Sequence, residues 1–321
     1  MSPKAKEYIR IGNRSVPLSN PDKELFPEDG ITKAELVDYY RTVSRVILPH
    51  LRDRPLVMER YPDGYRGRSF YHKDVPDYFP DWVHRHEVPK EDGSLTMASC
   101  DDVATLAYLA NQACITLHPW LSRTDHLNCP DRVVFDLDPP DHSGGRGGQA
   151  AGDGFEVVRR AARQLGDLLT ELGLRPALMT TGSRGLHLVV LLNRRTDFDT
   201  ARAFARRVAD LLAARHPDAL TTQARKDQRH GRLYLDTQRN AYAQTSVAPY
   251  AVRARPHAPV ATPLDWAELD DPDLHAQRWT LRTLPERLDA QGDAWKGLSR
   301  CRRSLDGARR RLDDLRQDAA A

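Results

Sequence analysis

The 321-residue chain reads as an α+β protein, with mixed or antiparallel sheets flanked by helices. Strand-like and helix-like stretches follow one another without the regular strand–helix–strand alternation of a doubly wound sheet. Residues 177–191 read as strand, tight turn, strand. The length allows a sizeable core, as one large domain or as two lobes.

The elements follow in order. Thr32-x-x-Glu35 is a capping box that opens a helix, with Leu36, Val37, Tyr40, Val43 and Ile47 on its apolar stripe and Pro49 beyond its end. Residues 56–99 turn strand-like, broken by the turn formers Pro62-Asp63-Gly64 and Asp92-Gly93. A short helix is expected over 102–113, then a strand ending at Asp138. Residues 143–154 are rich in glycine and predict a mobile loop. An amphipathic helix follows, carried by Val157, Val158, Ala161, Ala162, Leu165, Leu168, Leu169 and Leu172 and closed by Gly173. Beyond the 177–191 hairpin lie a helix over 201–214 and a short strand over 232–236. After Trp295 the chain reads as a basic tail, helical in part. Residues 296–321 carry eight bases and four acids, which suits a solvated helix face or a DNA contact.

Composition excludes more than it assigns. The 48 basic and 45 acidic residues leave +3, so net charge points to no partner. Arginine outnumbers lysine forty to eight; guanidinium forks suit phosphates, although codon usage gives the same bias. The four cysteines are far apart, with no C-x-x-C pair, which argues against a zinc knuckle or a disulfide framework. No apolar signal region opens the chain, and no stretch approaches the ~18 apolar residues of a membrane helix. A soluble, cytoplasmic protein with no membrane partner is expected.

Arg132-Val133-Val134-Phe135-Asp136-Leu137-Asp138-Pro139-Pro140 runs an apolar strand into two carboxylates. Alternation puts Asp136 and Asp138 on one face with Leu137 behind them. Two aligned carboxylates repel unless a cation lies between them, and oxygen donors of this kind suit Mg²⁺ or Mn²⁺. A charged strand end is the plainer alternative. Thr181-Gly182-Ser183-Arg184-Gly185 is a candidate phosphate cradle, or an ordinary hairpin turn, with His187 facing the same mouth. Asp236 closes Leu233-Tyr234-Leu235 among Lys226, Arg229, Arg239, Arg253 and Arg255, as a salt-bridged acid or a metal ligand. His118, before Pro119-Trp120, suits a packed histidine better than a catalytic one.

Two look-alikes are set aside. Lys90-Glu91-Asp92-Gly93 matches the K-x-D-G core of nucleotidyl-lysine ligases, but position 95 is Leu where that motif has Arg, and a hairpin turn explains it. Phosphatases of the haloacid-dehalogenase type open with D-x-D-x-T/V. Here position 140 is Pro and Asp270-Asp271 lacks a preceding apolar strand, although Thr180-Thr181-Gly182 mimics that family's second motif.

In order, Phe135-Asp136-Leu137-Asp138-Pro139, Thr181-Gly182-Ser183-Arg184-Gly185-Leu186-His187 and Tyr234-Leu235-Asp236 resemble the three motifs of the archaeo-eukaryotic primase superfamily. More closely, the chain resembles the polymerase domains of bacterial ATP-dependent DNA ligase D, which act in non-homologous end joining. The likeness includes Asn20-Pro21-Asp22-Lys23-Glu24-Leu25-Phe26-Pro27, Thr32-Lys33, Arg253-Ala254-Arg255 and Thr262-Pro263-Leu264-Asp265-Trp266-Ala267-Glu268-Leu269, and covers about residues 8 to 290.

The resemblance implies a primase-polymerase domain over 1–295, its N-terminal portion (about 1–125) packing on a catalytic core (about 126–295), with 296–321 as a tail. It implies that Asp136, Asp138 and Asp236 bind two divalent metals, Mn²⁺ or Mg²⁺. It implies that Thr181, Gly182, Ser183, Arg184, Gly185 and His187 hold the triphosphate of an NTP or dNTP, with Arg229, Arg253 and His118 nearby. Lys23 and Lys33 match lysines that capture the 5′-phosphate downstream of a gap; Arg60, Phe70, Tyr71 and Lys73 match a segment that meets the template. Without the family, Phe70-Tyr71 reads as a half-buried strand. Implied partners are gapped, 5′-phosphorylated or 3′-overhanging DNA, together with Ku and a separate DNA ligase, in a nucleoid-associated setting. The chain departs from the pattern at Glu59, where a basic residue is usual beside Arg60, at Arg239 and Gln244, often Gln and Lys, and at Arg184, often Lys; its glycine-rich stretch is longer than usual. The expected activity is template-directed nucleotidyl transfer with preference for NTPs, the alternatives being a non-catalytic module that binds and synapses DNA ends and the phosphatase above.

Overall fold

The computed structural model describes residues 7–140 and 153–318. The chain divides into two compact units: Met1–Asp125, Val247–Ala261 and Trp279–Gly292 make unit 1, and His126–Ser246, Thr262–Arg278 and Asp293–Ala321 make unit 2.

In unit 1, β1 (Glu7–Ile11) and β2 (Arg14–Leu18) form an antiparallel hairpin, and β3 (Glu24–Phe26) and β4 (Ile31–Thr32) lead into α1 (Lys33–Thr42). The capping box is complete: the Thr32 hydroxyl accepts from the Glu35 amide at 3.3 Å, and the Glu35 carboxylate accepts from the Thr32 amide at 3.0 Å. The single expected helix is two. Val43 breaks the run, and α2 (Ser44–Leu51) follows with Pro49 inside it rather than beyond it. Val43 still accepts from the amides of Val46 and Ile47, so the stripe stays in phase, and Leu36, Val37, Tyr40, Val43 and Ile47 are all buried. In so short a helix Pro49 forfeits only the bond its N–H would give to Arg45.

Strands β5 (Leu56–Arg60) and β6 (Phe70–His72) pair antiparallel. β7 (Arg85–Lys90) and β8 (Gly93–Ala98) form a hairpin whose loop is Glu91-Asp92, one residue earlier than expected, because Gly93 pairs with Lys90. After α3 (Val103–Asn111), capped by Asp102, β9 (Cys114–Pro119) returns to the other edge of β5, giving the order β6-β5-β9. The segment 247–261 completes this unit. Tyr250 accepts from the Tyr39 hydroxyl at 2.7 Å, and the Val252 amide donates to the Tyr40 hydroxyl at 3.2 Å. A helix over Leu284–Gln291 ends it.

Unit 2 is built on one sheet. Its strands are β10 (Arg132–Asp138), then, after α4 (Asp153–Glu171), β11 (Pro176–Thr180) and β12 (Leu186–Leu191), and, after α5 (Phe198–Arg215), β13 (Leu220–Thr221), β14 (Leu233–Asp236) and β15 (Pro263–Leu264). The order is β13-β14-β10-β12-β11-β15, antiparallel except for β13–β14. α5 begins three residues before the expected helix because Asp197 caps it, accepting from the Thr200 amide at 2.7 Å. Of the glycine-rich stretch, residues 143–152 lie outside the described residues and 153–154 open α4. Segment 296–321, expected as a tail, is part of unit 2 over its described length. Its helix Leu305–Asp318 buries Leu305, Ala308 and Leu312, Arg311 donates to the Leu172 carbonyl at 3.0 Å, and Arg207 pairs with Asp313. The spacing i, i+3, i+7 makes one apolar stripe, which the run of arginines obscures in the sequence.

Candidate active site

The register of the unit 2 sheet sets the site. Asp136 on β10 is the direct partner of His187 on β12 and of Asp236 on β14, so the three side chains form a row on one face. Asp138, two residues on, shares that face opposite Tyr234. Phe135, Leu137, Leu186, Leu188 and Leu235 point the other way and are buried. Pro139 ends the strand, which leaves Asp138 at the rim. The Asn240 side chain braces β10 where β14 stops: its carbonyl accepts from the Val134 amide at 2.8 Å and its amide donates to the Val134 carbonyl at 2.7 Å.

Each acid has its own neighbours. Asp136 Oδ2 lies 3.4 Å from His187 Nε2, and Asp138 Oδ1 lies 4.0 Å from Arg184 Nη2. Asp236 Oδ1 accepts from the Gln238 amide at 2.7 Å and from the Tyr234 hydroxyl at 3.3 Å. Among the described residues, then, no three acidic, imidazole or thiol groups stand as a ready-made metal cage. The charge balance nevertheless fits a divalent cation. Burial pushes the Asp138 carboxyl up to about 6, helped by the charges of Asp136 and Asp236 and opposed by Arg184 and Arg229. A cation beside hard oxygen donors relieves both burdens. His187, only 4% exposed, keeps a buried Nδ1 with no partner among the described residues, a second polar demand at the same place.

The 181–185 turn is organised from within. The Thr181 hydroxyl donates to the Gly185 carbonyl at 3.0 Å and accepts from the Ser183 amide at 3.2 Å and the Gly185 amide at 3.3 Å. Gly182 takes a left-handed φ of +62°. Gly185 is glycine for another reason: a Cβ there would run into the Leu137 carbonyl oxygen. Its amide is bonded to Thr181, so this glycine serves strand contact rather than anion approach. The Ser183 carbonyl accepts from Gln277 Nε2 at 2.7 Å. Arg229 lies over the Tyr234 ring at 4.1 Å and donates to the Ala224 carbonyl at 2.9 Å. Gln238, Asn240 and Gln277 lie in no motif, and Tyr234, inside the third motif, had no role assigned to it. Alternation along β14 was the one available signal, and it places Tyr234 beside Asp236.

The other implied residues belong to unit 1. His118 Nε2 lies 2.9 Å from Glu59 Oε2. The Arg253 amide donates to the Pro259 carbonyl at 2.7 Å. Lys33 is the first residue of α1 and is buried, its ammonium donating to the Ser19 carbonyl at 2.6 Å; no carboxylate pairs with it among the described residues. Burial, then the charges of Lys23 and Arg60, bring its pKa down to about 8. Backbone bonds from Lys33 to Lys23 and from Ala34 to Pro21 hold the two lysine segments side by side. Lys23 also pairs with Asp63 at 3.1 Å. Arg60 is engaged by Gln112, His72 and the Tyr78 hydroxyl, and Lys73 is exposed. The half-buried alternative for Phe70-Tyr71 does not hold: β6 is an edge strand, and the two are 40% and 60% exposed. Arg68 lies over the Phe70 ring at 5.4 Å. Arg239 and Gln244, in unit 2, are exposed.

A family model described as LigD, primase-polymerase domain matches residues 32–295. The multifunctional non-homologous end joining protein LigD of Mycolicibacterium smegmatis is 35% identical over 282 residues, 87% of this chain and 35% of that protein. The bifunctional non-homologous end joining protein LigD of Bacillus subtilis is 32% identical, over 89% of this chain and 45% of its own length. The chain thus spans less than half of these relatives. Among solved structures, the polymerase domain from Mycobacterium tuberculosis ligase D in complex with DNA superposes with a TM-score of 0.80 at 33% identity, covering 88% of this chain and 96% of that one. With its three acids aligned on one α+β sheet, the chain belongs to the LigD primase-polymerase domain family, a family of nucleotidyltransferase-type polymerases.

Proposed function

We propose that this chain is a template-directed nucleotidyltransferase that fills short gaps and extends broken ends with NTPs, in preference to dNTPs, during bacterial non-homologous end joining. The observation that carries the reading is the cross-strand pairing of Asp136 with Asp236, with Asp138 on the same face and its carboxyl raised to about 6. Membership of the family implies use of a divalent metal and nucleoside triphosphates.

Asp136, Asp138 and Asp236 are the residues to hold two ions, Mn²⁺ or Mg²⁺. Bound there, such ions supply activation of a primer 3′-hydroxyl and neutralisation of charge on the leaving pyrophosphate. The protein's own part is orientation and charge. Arg184, at the mouth of the turn, offers a guanidinium fork to phosphate. Thr181 holds the turn in shape, so Gly182 and Ser183 present a preformed rim, with Gly185, the other glycine of the proposed cradle, seating the turn against β10. His187, Arg229, His118 and Arg253 complete the proposed set of triphosphate contacts.

Lys33 supports a 5′-phosphate site in unit 1. A lysine at a helix N-terminus, buried beside two further cations, is disfavoured on three counts, and a bound dianion relieves all three. Lys23 is its proposed partner. Phe70 and Tyr71, exposed beside Arg68 and Lys73, suit base stacking on a template strand, with Arg60 opposite Phe70 in the ladder as a further template contact. Ku and a separate DNA ligase are the proposed partners, in keeping with relatives that are end-joining proteins by name. A purely DNA-binding role has no use for three carboxylates on one face, and Asp270 ends a 3₁₀ helix rather than a strand, unlike a phosphatase acid.

The test is primer extension on a gapped duplex whose downstream strand carries a 5′-phosphate, with NTP or dNTP and Mn²⁺ or Mg²⁺. Template-dependent addition, stronger with NTP, is expected; no addition with either metal overturns the reading.

A further inference from the structure

The β6-β5-β9 sheet of unit 1 brings three donors to one carboxylate. Glu59 is the direct cross-strand partner of Tyr71 on β6 and of Thr116 on β9, and His118 lies two residues beyond Thr116 on the same face. Glu59 Oε1 accepts from the Tyr61 hydroxyl at 2.6 Å and from the Tyr71 hydroxyl at 2.8 Å, and Oε2 lies 2.9 Å from His118 Nε2. Glu59 is 7% exposed, whereas Tyr71, whose hydroxyl it holds, is 60% exposed. The Tyr71 and His118 rings stand 6.3 Å apart, tilted by 45°. Burial works against the charge on Glu59, but the bonds from His118, Tyr61 and Tyr71 outweigh it and hold the carboxyl down to about 2.

We infer that Glu59 is a positioning residue, whose single carboxylate fixes the ring of Tyr71 and the imidazole of His118 in the orientations that meet the template and the incoming triphosphate. The inference rests on the roles proposed above for those two side chains. A tyrosine held only by its Cα would sample several rotamers at the surface. Tied at its hydroxyl to a buried acceptor, it presents one face of the ring, so little ordering entropy remains to be lost when a base stacks on it. On the histidine, an ionised acceptor at Nε2 keeps a proton on that nitrogen and fixes the ring plane. A basic side chain at this position could not accept any of these three bonds. Glu59 therefore faces inward as an acceptor.

Glu59→Gln and Tyr71→Phe test this. In the wild type, ¹⁵N NMR of the imidazoles should show His118 protonated at Nε2. In Glu59→Gln the amide can donate to that nitrogen, and the pattern should shift toward the Nδ1-protonated form. The same variant should raise the KM for NTP and the Kd for a primer–template each by about fivefold with the melting temperature little changed. Tyr71→Phe, which keeps the ring and breaks one bond at an exposed site, should weaken primer–template binding alone. Wild-type values for primer–template binding in Tyr71→Phe, or an unchanged His118 pattern in Glu59→Gln, overturn the inference. Should Glu59→Gln fail to fold, Tyr71→Phe decides alone. If the wild type itself neither binds primer–template nor extends it, the function proposed above fails instead, and the NMR comparison still decides whether Glu59 sets the imidazole.

Discussion

Asp136 and Asp236 face each other directly across β10 and β14, two like charges at a paired position of an antiparallel ladder. Such pairs weaken a sheet, and Asp138 on the same face adds a third acid. Asp136→Ala or Asp236→Ala should lower extension of a gapped, 5′-phosphorylated primer–template with NTP and Mn²⁺ by at least about a hundredfold, the loss expected when several kcal/mol of charge stabilisation are removed. Robust extension by either variant would count against the metal-binding assignment.

Relief of that repulsion should show in stability. The Asp138 carboxyl is raised from 3.8 to about 6. Between those values the folded state binds more protons than the unfolded one, so stability falls as pH rises through the window. In EDTA, Asp138→Asn should be more stable than the wild type at pH 7.5, by on the order of 1 kcal/mol once solvent screening at the rim is allowed for, and the gain should vanish near pH 4. Melting curves at the two pH values measure it.

Lys33 is lowered from 10.5 to about 8, so between those values the unfolded chain binds more protons and stability rises with pH. A bound phosphate reverses the effect by favouring the charged ammonium. Binding of a gapped duplex with a 5′-phosphate at pH 8.5 should therefore take up protons, seen by calorimetry in buffers of different ionisation enthalpy. Lys33→Met should lose the uptake, and Lys23→Ala should reduce the preference for a phosphorylated gap. Equal proton uptake without the phosphate would show that it comes from elsewhere.

Gly185 passes so close to Leu137 that a methyl group has no room. Gly185→Ala should cost about 1–3 kcal/mol in denaturant unfolding, as overpacking does. Gly182→Ala strains a left-handed residue, and should cost about 1 kcal/mol.

The helix Leu305–Asp318 predicts a structural role for a segment rich in arginine. Leu312→Ala should destabilise the protein by about 2–5 kcal/mol, as for other buried leucines, whereas Arg310→Ala on the exposed side should change little. Equal, small effects would restore the solvated tail.

The three acids and the 181–187 turn were legible because each is local: alternation puts Asp136 and Asp138 on one face, and glycine marks the turn. Their assembly was not, since the row His187–Asp136–Asp236 depends on register between strands 50 and 100 residues apart in sequence. The inward turn of Glu59 was hidden for the same reason, because its partners lie on β6 and β9. Pro49 misled through a rule that holds for longer helices. Phe70 and Tyr71 misled through strand propensity, which cannot tell an edge strand from a covered one. The closing helix was masked by its charge, although Leu305, Ala308 and Leu312 already had helical spacing.

The chain passes between its two units five times, at 125/126, 246/247, 261/262, 278/279 and 292/293. During synthesis, Tyr39 and Tyr40 leave the ribosome long before their backbone partners Tyr250 and Val252 exist. The first 125 residues must wait, with part of their interior open, while β10 to β14 are made. Neither unit can close before its last segment is made, and a shortened product that stops between residues 237 and 249 would carry the whole carboxylate row yet leave Tyr39 and Tyr40 without those partners.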